Sequence, residues 1–146
     1  MAIIVYLETE NGDFKKSALE VSSYGRKLAD EIKTNLYGIA FNSDDPLKIQ
    51  KYGVEKLINI KTDYVFDAKI YADLLSKTFK DLEGTIFITG SSADSRFIFP
   101  IVSISLDASY ATNVIEFPSS ISPLILKRSA FTNKGFVFTE LKTIHK

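Results

Sequence analysis

The sequence predicts an α/β fold in three layers: a mostly parallel sheet between helices, with an antiparallel edge made by the C-terminal segments. Three observations carry this. Strand-like apolar runs alternate with helical periods as far as Asp107. Beyond Asp107 the helical periods stop and three strand-like segments follow with only turns between them. The first run, Ile3–Leu7, is apolar throughout, as expected of a strand covered on both faces. One domain over residues 1–146 accommodates all of it.

Taken in order, "IIVYL" (Ile3–Leu7) is the first strand and "ETENGDFKK" a turn. Ser17 and Glu20 have the S-x-x-E spacing of a capping box, predicting a helix that opens there. Val21, Tyr24, Leu28 and Ile32 form its apolar stripe, with Arg26, Lys27, Asp30 and Lys33 outward. Leu36–Phe41 is a second strand. "SDDPLKIQKYG" predicts a short helix capped by Asp45, with Pro46 at its first position and Gly53 ending it. Leu57–Ile60 is a third strand, and Asp67–Leu82 a long helix burying Ile70, Leu74, Leu75, Phe79 and Leu82. Thr85–Thr89 is the fourth strand, followed by a turn and a helix beginning near Arg96. The later strands lie in "ASYATNVIEF", "PLILKRSAF" and "GFVFTELKTI", the last two joined by a tight hairpin at Phe131–Phe136. Strands separated by helices imply β-α-β crossovers and a parallel sheet.

Composition narrows the chemistry. Eighteen basic residues balance eighteen acidic ones, which argues against a nucleic-acid surface or a polybasic membrane patch. With no cysteine there is no disulfide, thiolate nucleophile or Cys-ligated metal. A single histidine, His145, rules out a His-based metal cage and most His-dependent triads. No run reaches membrane-spanning length and the N-terminus does not read as a signal peptide, so a cytoplasmic location is expected.

One stretch carries the functional question. In "TGSSADSRFIFP" (Thr89–Pro100) a strand ends in a small polar turn that opens a helix. Ligands of open parallel sheets sit beyond the strand carboxyl ends, where this turn and Glu8 both fall. Ser91, Ser92 and Ser95 offer hydroxyls, the helix start offers free N–H groups, and Arg96 offers a fork for an anion. Against a phosphate loop, Gly90 is its only glycine, and neither G-x-G-x-x-G nor G-x-x-x-x-G-K-[ST] occurs in the chain. The other reading is structural: the serines cap the helix and Arg96 pairs with a carboxylate. Glu8 has no nucleophile, histidine or metal partner in view, so no catalytic residue is assigned.

The segments taken together resemble the N-terminal domain of the electron transfer flavoprotein α subunit. "IIVYLETENGDFKKSALE" is similar to the family's opening, with Glu8, Gly12, Lys15 and Leu19 in register. "GVEKLI", from Gly53, is similar to its G-A-D-K-V-L stretch. "TGSSADSRFIFPIVS" resembles A-T-S-x-x-G-R-D-L-A-P-R-L-A, matching Ser91, Arg96 and Pro100. "LKRSAFTNKGF" resembles T-R-P-A-Y-G-G-K-A, matching Arg128, Ala130, Phe131 and Lys134. Four motifs occur in the family's order between Ile3 and about Ile144. The departures are Ser95 for the glycine before the arginine, Phe97 for the acid after it, Ile101 for a second arginine and Ser129 for a proline.

The resemblance implies an adenine nucleotide alpha hydrolase-like fold and a non-enzymatic scaffold. It implies no cofactor on this chain alone, with FAD present only in a complex. The implied partners are a β-like subunit, a separate FAD domain, or both; the family's C-terminal FAD domain is not in this sequence. Glu8, Ser91, Ser92, Ser95, Arg96 and Arg128 stand as crevice or interface candidates. A different class remains: a small AMP- or ATP-binding module resembling universal stress proteins. Phe117, Ile121, Leu124, Phe131, Phe136 and Phe138 crowd the C-terminal region, where Lys127, Lys134 and Lys142 only partly protect a strand edge. A homodimer through these strands is therefore expected.

Overall fold

The computed structural model describes residues 1–143 and 145. Its centre is a four-stranded parallel sheet of β1 (Ala2–Tyr6), β4 (Asn35–Phe41), β5 (Lys56–Ile60) and β6 (Gly84–Thr89), in the order β5-β4-β1-β6. Every residue of β1 is buried, and its side chains divide by parity. Ala2, Ile4 and Tyr6 face a cluster with Leu75 and Phe79 of α2 (Ala68–Asp81) and Ile98, Phe99 and Val102 of α3 (Ala93–Ser105). Ile3, Val5 and Leu7 face Ala18, Val21 and Leu28 of α1 (Lys16–Ile32), with Ile49 of a 3-10 turn at Lys48–Tyr52. An unbroken apolar strand thus supports helices on both faces, the three-layer arrangement that its sequence predicts.

The local causes differ in places from the sequence expectation. The stretch between β1 and α1 is a small hairpin of β2 (Thr9–Glu10) and β3 (Asp13–Phe14). Asn11 and Gly12 at its tip have φ of 50° and 84°, the positive pair that a tight hairpin turn requires. A side chain at Gly12 would also run into Asp44. The Ser17–Glu20 capping box does not form: α1 already starts at Lys16, and its N-cap, Lys15, makes no side-chain cap bond. Asp45 and Pro46 likewise lie ahead of the 3-10 turn, capped at its end by Gly53 at φ 87°. Asp67 does cap α2, accepting from the N–H groups of Lys69 and Ile70.

The C-terminal strands form, but they do not extend the parallel sheet. Residues β7 (Ser120–Ile121), β8 (Leu124–Ala130) and β9 (Gly135–Leu141) make their own antiparallel sheet in the order β7-β8-β9. The expected antiparallel edge is therefore corrected to a separate sheet. It packs beside β6 through Leu124, Leu126 and Leu141 against Ile86, contact by side chains rather than by ladder hydrogen bonds. Of "ASYATNVIEF", only an isolated bridge from Val114 to Arg128 forms, so that segment is a connection rather than a strand. Between β8 and β9, Phe131, Thr132 and Asn133 all take positive φ, giving a longer turn than a two-residue hairpin.

Candidate functional site

The chain runs from β1 out to β4 and β5, then crosses back to place β6 on the other flank of β1. The direction of winding reverses between β1 and β6, and a crevice opens at their carboxyl ends. Glu8 follows β1, and Ser92 follows β6 as the N-cap of α3. These two residues meet. The Ser92 hydroxyl donates to Glu8 Oε1 at 2.5 Å across the switch point.

Each polar group around this bond has a partner. Ser92 Oγ accepts from the Ser95 N–H at 3.0 Å, and the Ser92 N–H donates to Ser95 Oγ at 2.9 Å, a reciprocal capping box. The Ser95 hydroxyl donates to the Gly90 carbonyl at 2.7 Å. Glu8 Oε2 faces Lys15 Nζ at 3.4 Å. Lys15 reaches that point because the β2–β3 hairpin folds the chain back, and its own N–H donates to the Glu8 carbonyl at 3.0 Å. Glu8 is 5% exposed and Ser95 3%, whereas Ser92 and Lys15 are half-buried, so the network runs from the interior to the rim of the crevice. Burial, then the charge of Glu8, push the Tyr6 hydroxyl well above the ordinary tyrosine range.

The arrangement decides what this crevice can hold. The N-terminus of α3 favours negative charge, and Glu8 already supplies it through Ser92, with Asp94 in the first turn as a second negative group. The Ser92 and Ser95 protons are committed to Glu8 and Gly90. A phosphate placed between Glu8 and Ser92 would meet a buried carboxylate and two hydroxyls already committed, whereas Ser91 only accepts, from Arg96, and lies exposed beside them. Among the described residues no group of three His, Asp or Glu side chains could hold a metal ion. No helix among them is long and apolar enough to cross a membrane.

The remaining candidates lie outside this hydrogen-bond network. Arg96 is exposed, and its Nη2 donates to Ser91 Oγ at 3.4 Å. No carboxylate pairs with it among the described residues, which corrects the expected ion pair. Arg128 is half-buried and ties two segments together, with Nε donating to the Thr112 carbonyl at 2.6 Å and Nη2 to Thr112 Oγ1 at 2.9 Å. Both guanidinium groups act on the Tyr110 hydroxyl, which burial raises and they lower. Arg96 and Tyr110 line a groove of about 690 Å³ between α1, β6 and the antiparallel sheet, with Tyr24, Ile86 and Val114. The structure therefore unites Glu8, Ser92 and Ser95, with Ser91 and Arg96 beside them and Arg128 in a separate knot. Sequence reasoning gave no role to Lys15 or Tyr110. The Asn11-Gly12 pair was the available signal for the hairpin that delivers Lys15.

Fold and site together define a doubly wound α/β domain whose switch point is bridged by its own carboxylate and a helix-cap serine. The chain belongs to the electron transfer flavoprotein domain family, whose model matches residues 3–144. No curated protein matches it in sequence. Among solved structures it is similar to a universal stress protein from Archaeoglobus fulgidus, with TM-score 0.45 and 11% identity over 68% of this chain and 91% of that one. A universal stress family protein from Burkholderia pseudomallei gives TM-score 0.45 and 10% identity over 66% and 87% of the two chains. A universal stress protein in complex with cAMP gives 0.43 and 14% over 70% and 88%.

Proposed function

We propose that this chain is an α-type N-terminal domain of an electron transfer flavoprotein. It is a non-catalytic scaffold that supports electron transfer only in complex with a flavin-bearing partner. The observation that carries this reading is the family match over residues 3–144. The switch-point geometry supports it, since Glu8 and Ser92 occupy each other where a cofactor phosphate would have to sit. FAD then belongs to a separate domain, and a β-like subunit completes the assembly. The test is an absorbance spectrum of the purified chain, alone and co-expressed with β-type and FAD-domain chains. The expected result is no flavin bands alone and a flavin-containing complex when partners are present. Stoichiometric flavin on the chain alone overturns the proposal.

A second reading, an AMP- or ATP-binding module, rests on one observation. Arg96 stands beside Ser91 at the groove with no carboxylate partner among the described residues. Calorimetric titration separates the two readings: micromolar binding of AMP or ATP, abolished by Arg96→Ala, would establish the module instead.

A further inference from the structure

We propose that β9 is a docking edge for a second copy of this chain, paired antiparallel about a two-fold axis at Val137. The proposal rests on β9 and the turn residue Lys134 before it, and is independent of the electron-transfer reading.

The end strand of the antiparallel sheet is β9, paired only with β8. Its free edge can be identified from the hydrogen bonds of β8. The Lys127 and Ile125 carbonyls and the Ser129 N–H are engaged on the far side of β8, by Ile115, Ser119 and Asn113. In an antiparallel strand a residue's N–H and C=O point to the same side and alternate along the chain. Leu126 and Arg128 therefore face β9, and their partners Thr139 and Val137 face back. The main-chain groups of Phe136, Phe138 and Glu140 are left on the open edge. Among the described residues no backbone hydrogen bond reaches it.

The side chains of Phe136, Phe138 and Glu140 share one face by parity, and Lys134 is the turn residue two places before Phe136. Phe136 is 60% exposed and Phe138 65%, whereas Leu141 on the other face is buried. Lys127 Nζ lies over the Phe136 ring at 4.8 Å, and the exposed remainder of Phe136, with Phe138 and the free main-chain groups, forms a template for another strand.

The sequence of β9 selects the occupant. A two-fold axis perpendicular to the sheet sets residues of like parity opposite one another. Centred on Val137, it places Phe136 against Phe138 of the second copy, and Phe138 against Phe136. It also sets Lys134 against Glu140 at both ends. Cross-strand aromatic pairs and opposite charges are each favourable in this arrangement. Centring on Phe138 instead would set Lys134 against Lys142. Lys134 and Glu140 are exposed, and among the described residues neither has an ion-pair partner within the chain. The Val137 register joins two three-stranded sheets into one of six strands and is self-complementary, as an isologous interface must be.

Sedimentation of the full chain at several micromolar concentrations, with circular dichroism to check the fold, tests this. The wild type is expected to dimerise. Lys134→Glu and Glu140→Lys each create two like-charge pairs and should weaken the dimer about tenfold or more. An equimolar mixture of the two variants, and the double variant Lys134→Glu/Glu140→Lys, should both recover dimerisation. A wild type that stays monomeric throughout overturns the proposal. So does a dimer that neither single variant weakens, or single-variant losses that neither mixing nor the double variant restores.

Discussion

The Ser92 hydroxyl donates to the buried Glu8 carboxylate while accepting from the Ser95 N–H. One oxygen thus caps α3 and holds the end of β1, so the strand and helix that flank the crevice are fastened across it.

Replacing Ser92 by alanine removes the cap of α3 and the bond to buried Glu8 Oε1, leaving Lys15 as that carboxylate's partner. The expected loss is about 2–3 kcal/mol in urea denaturation, combining a lost cap with a lost bond to a charged acceptor. Asp67→Ala removes only an exposed cap of α2, at a cost of about 1 kcal/mol. Equal losses for the two variants would show that the Glu8 bond contributes nothing.

Glu8→Gln keeps the shape and deletes the charge. The N-terminus of α3 then loses its buried counter-charge, keeping only the exposed Asp94, and becomes an anion site. Inorganic phosphate should raise the Tm of the variant by roughly 2–4 °C if binding contributes about 1 kcal/mol, and leave the wild type unchanged. Thermal scans with and without phosphate at fixed ionic strength give the answer, and a response in the wild type would sink the claim.

Alkaline pH should destabilise the protein through Tyr6. Its hydroxyl in the fold is held protonated above the unfolded value of 10.0, chiefly by burial. The unfolded chain therefore releases a proton that the folded one keeps, and stability is fully present below about pH 10 and falls as pH rises beyond it. The slope for one such group is about 1.4 kcal/mol per pH unit. Tyr6→Phe should flatten this limb, and denaturation midpoints between pH 9 and pH 11 (roughly spanning the tyrosine range) measure it. An unchanged limb assigns the loss to other groups, Tyr71 and Tyr24 first among them, since burial raises both.

Two phenylalanines should behave oppositely on truncation. Phe79 is 1% exposed and stacks on Phe87 with centroids 5.1 Å apart, so Phe79→Ala should cost about 3–5 kcal/mol. Phe138 is 65% exposed, and in dilute monomer Phe138→Ala should change stability by no more than about 0.5 kcal/mol. Chemical denaturation at low protein concentration distinguishes them.

Much of this architecture was legible in the residues. The continuous apolar run at Ile3–Leu7, the stripe through Val21 and Leu28, and Leu75 with Phe79 on α2 all follow from periodicity, and all pack as their spacing requires. Glu8, Ser92 and Ser95 were legible as candidates because strand ends of a parallel sheet converge. Their mutual bonding was not, because it depends on which strand lies beside β1. The separate C-terminal sheet was missed for a related reason. Alternation shows that a segment is a strand but not which neighbour supplies its ladder. Local capping failed at Ser17 because the hairpin returns the chain two residues early, making Lys15 the N-cap, and its side chain serves Glu8 instead.

The joint between the two sheets has a dynamic consequence. Only Leu124, Leu126 and Leu141 form the buried cluster of the antiparallel unit, whereas β1 is sandwiched between two large ones. The free energy needed to open a region scales with the apolar surface it must expose. The molecule should therefore breathe in two tiers. Amides of β8 and β9 should exchange with solvent through a low-energy detachment of that sheet, while those of β1 wait for global unfolding. Such detachment would uncover Ile86 and the flank of β6 without disturbing the bond between Glu8 and Ser92. The less stable half thus acts as a removable cover over an intact frame.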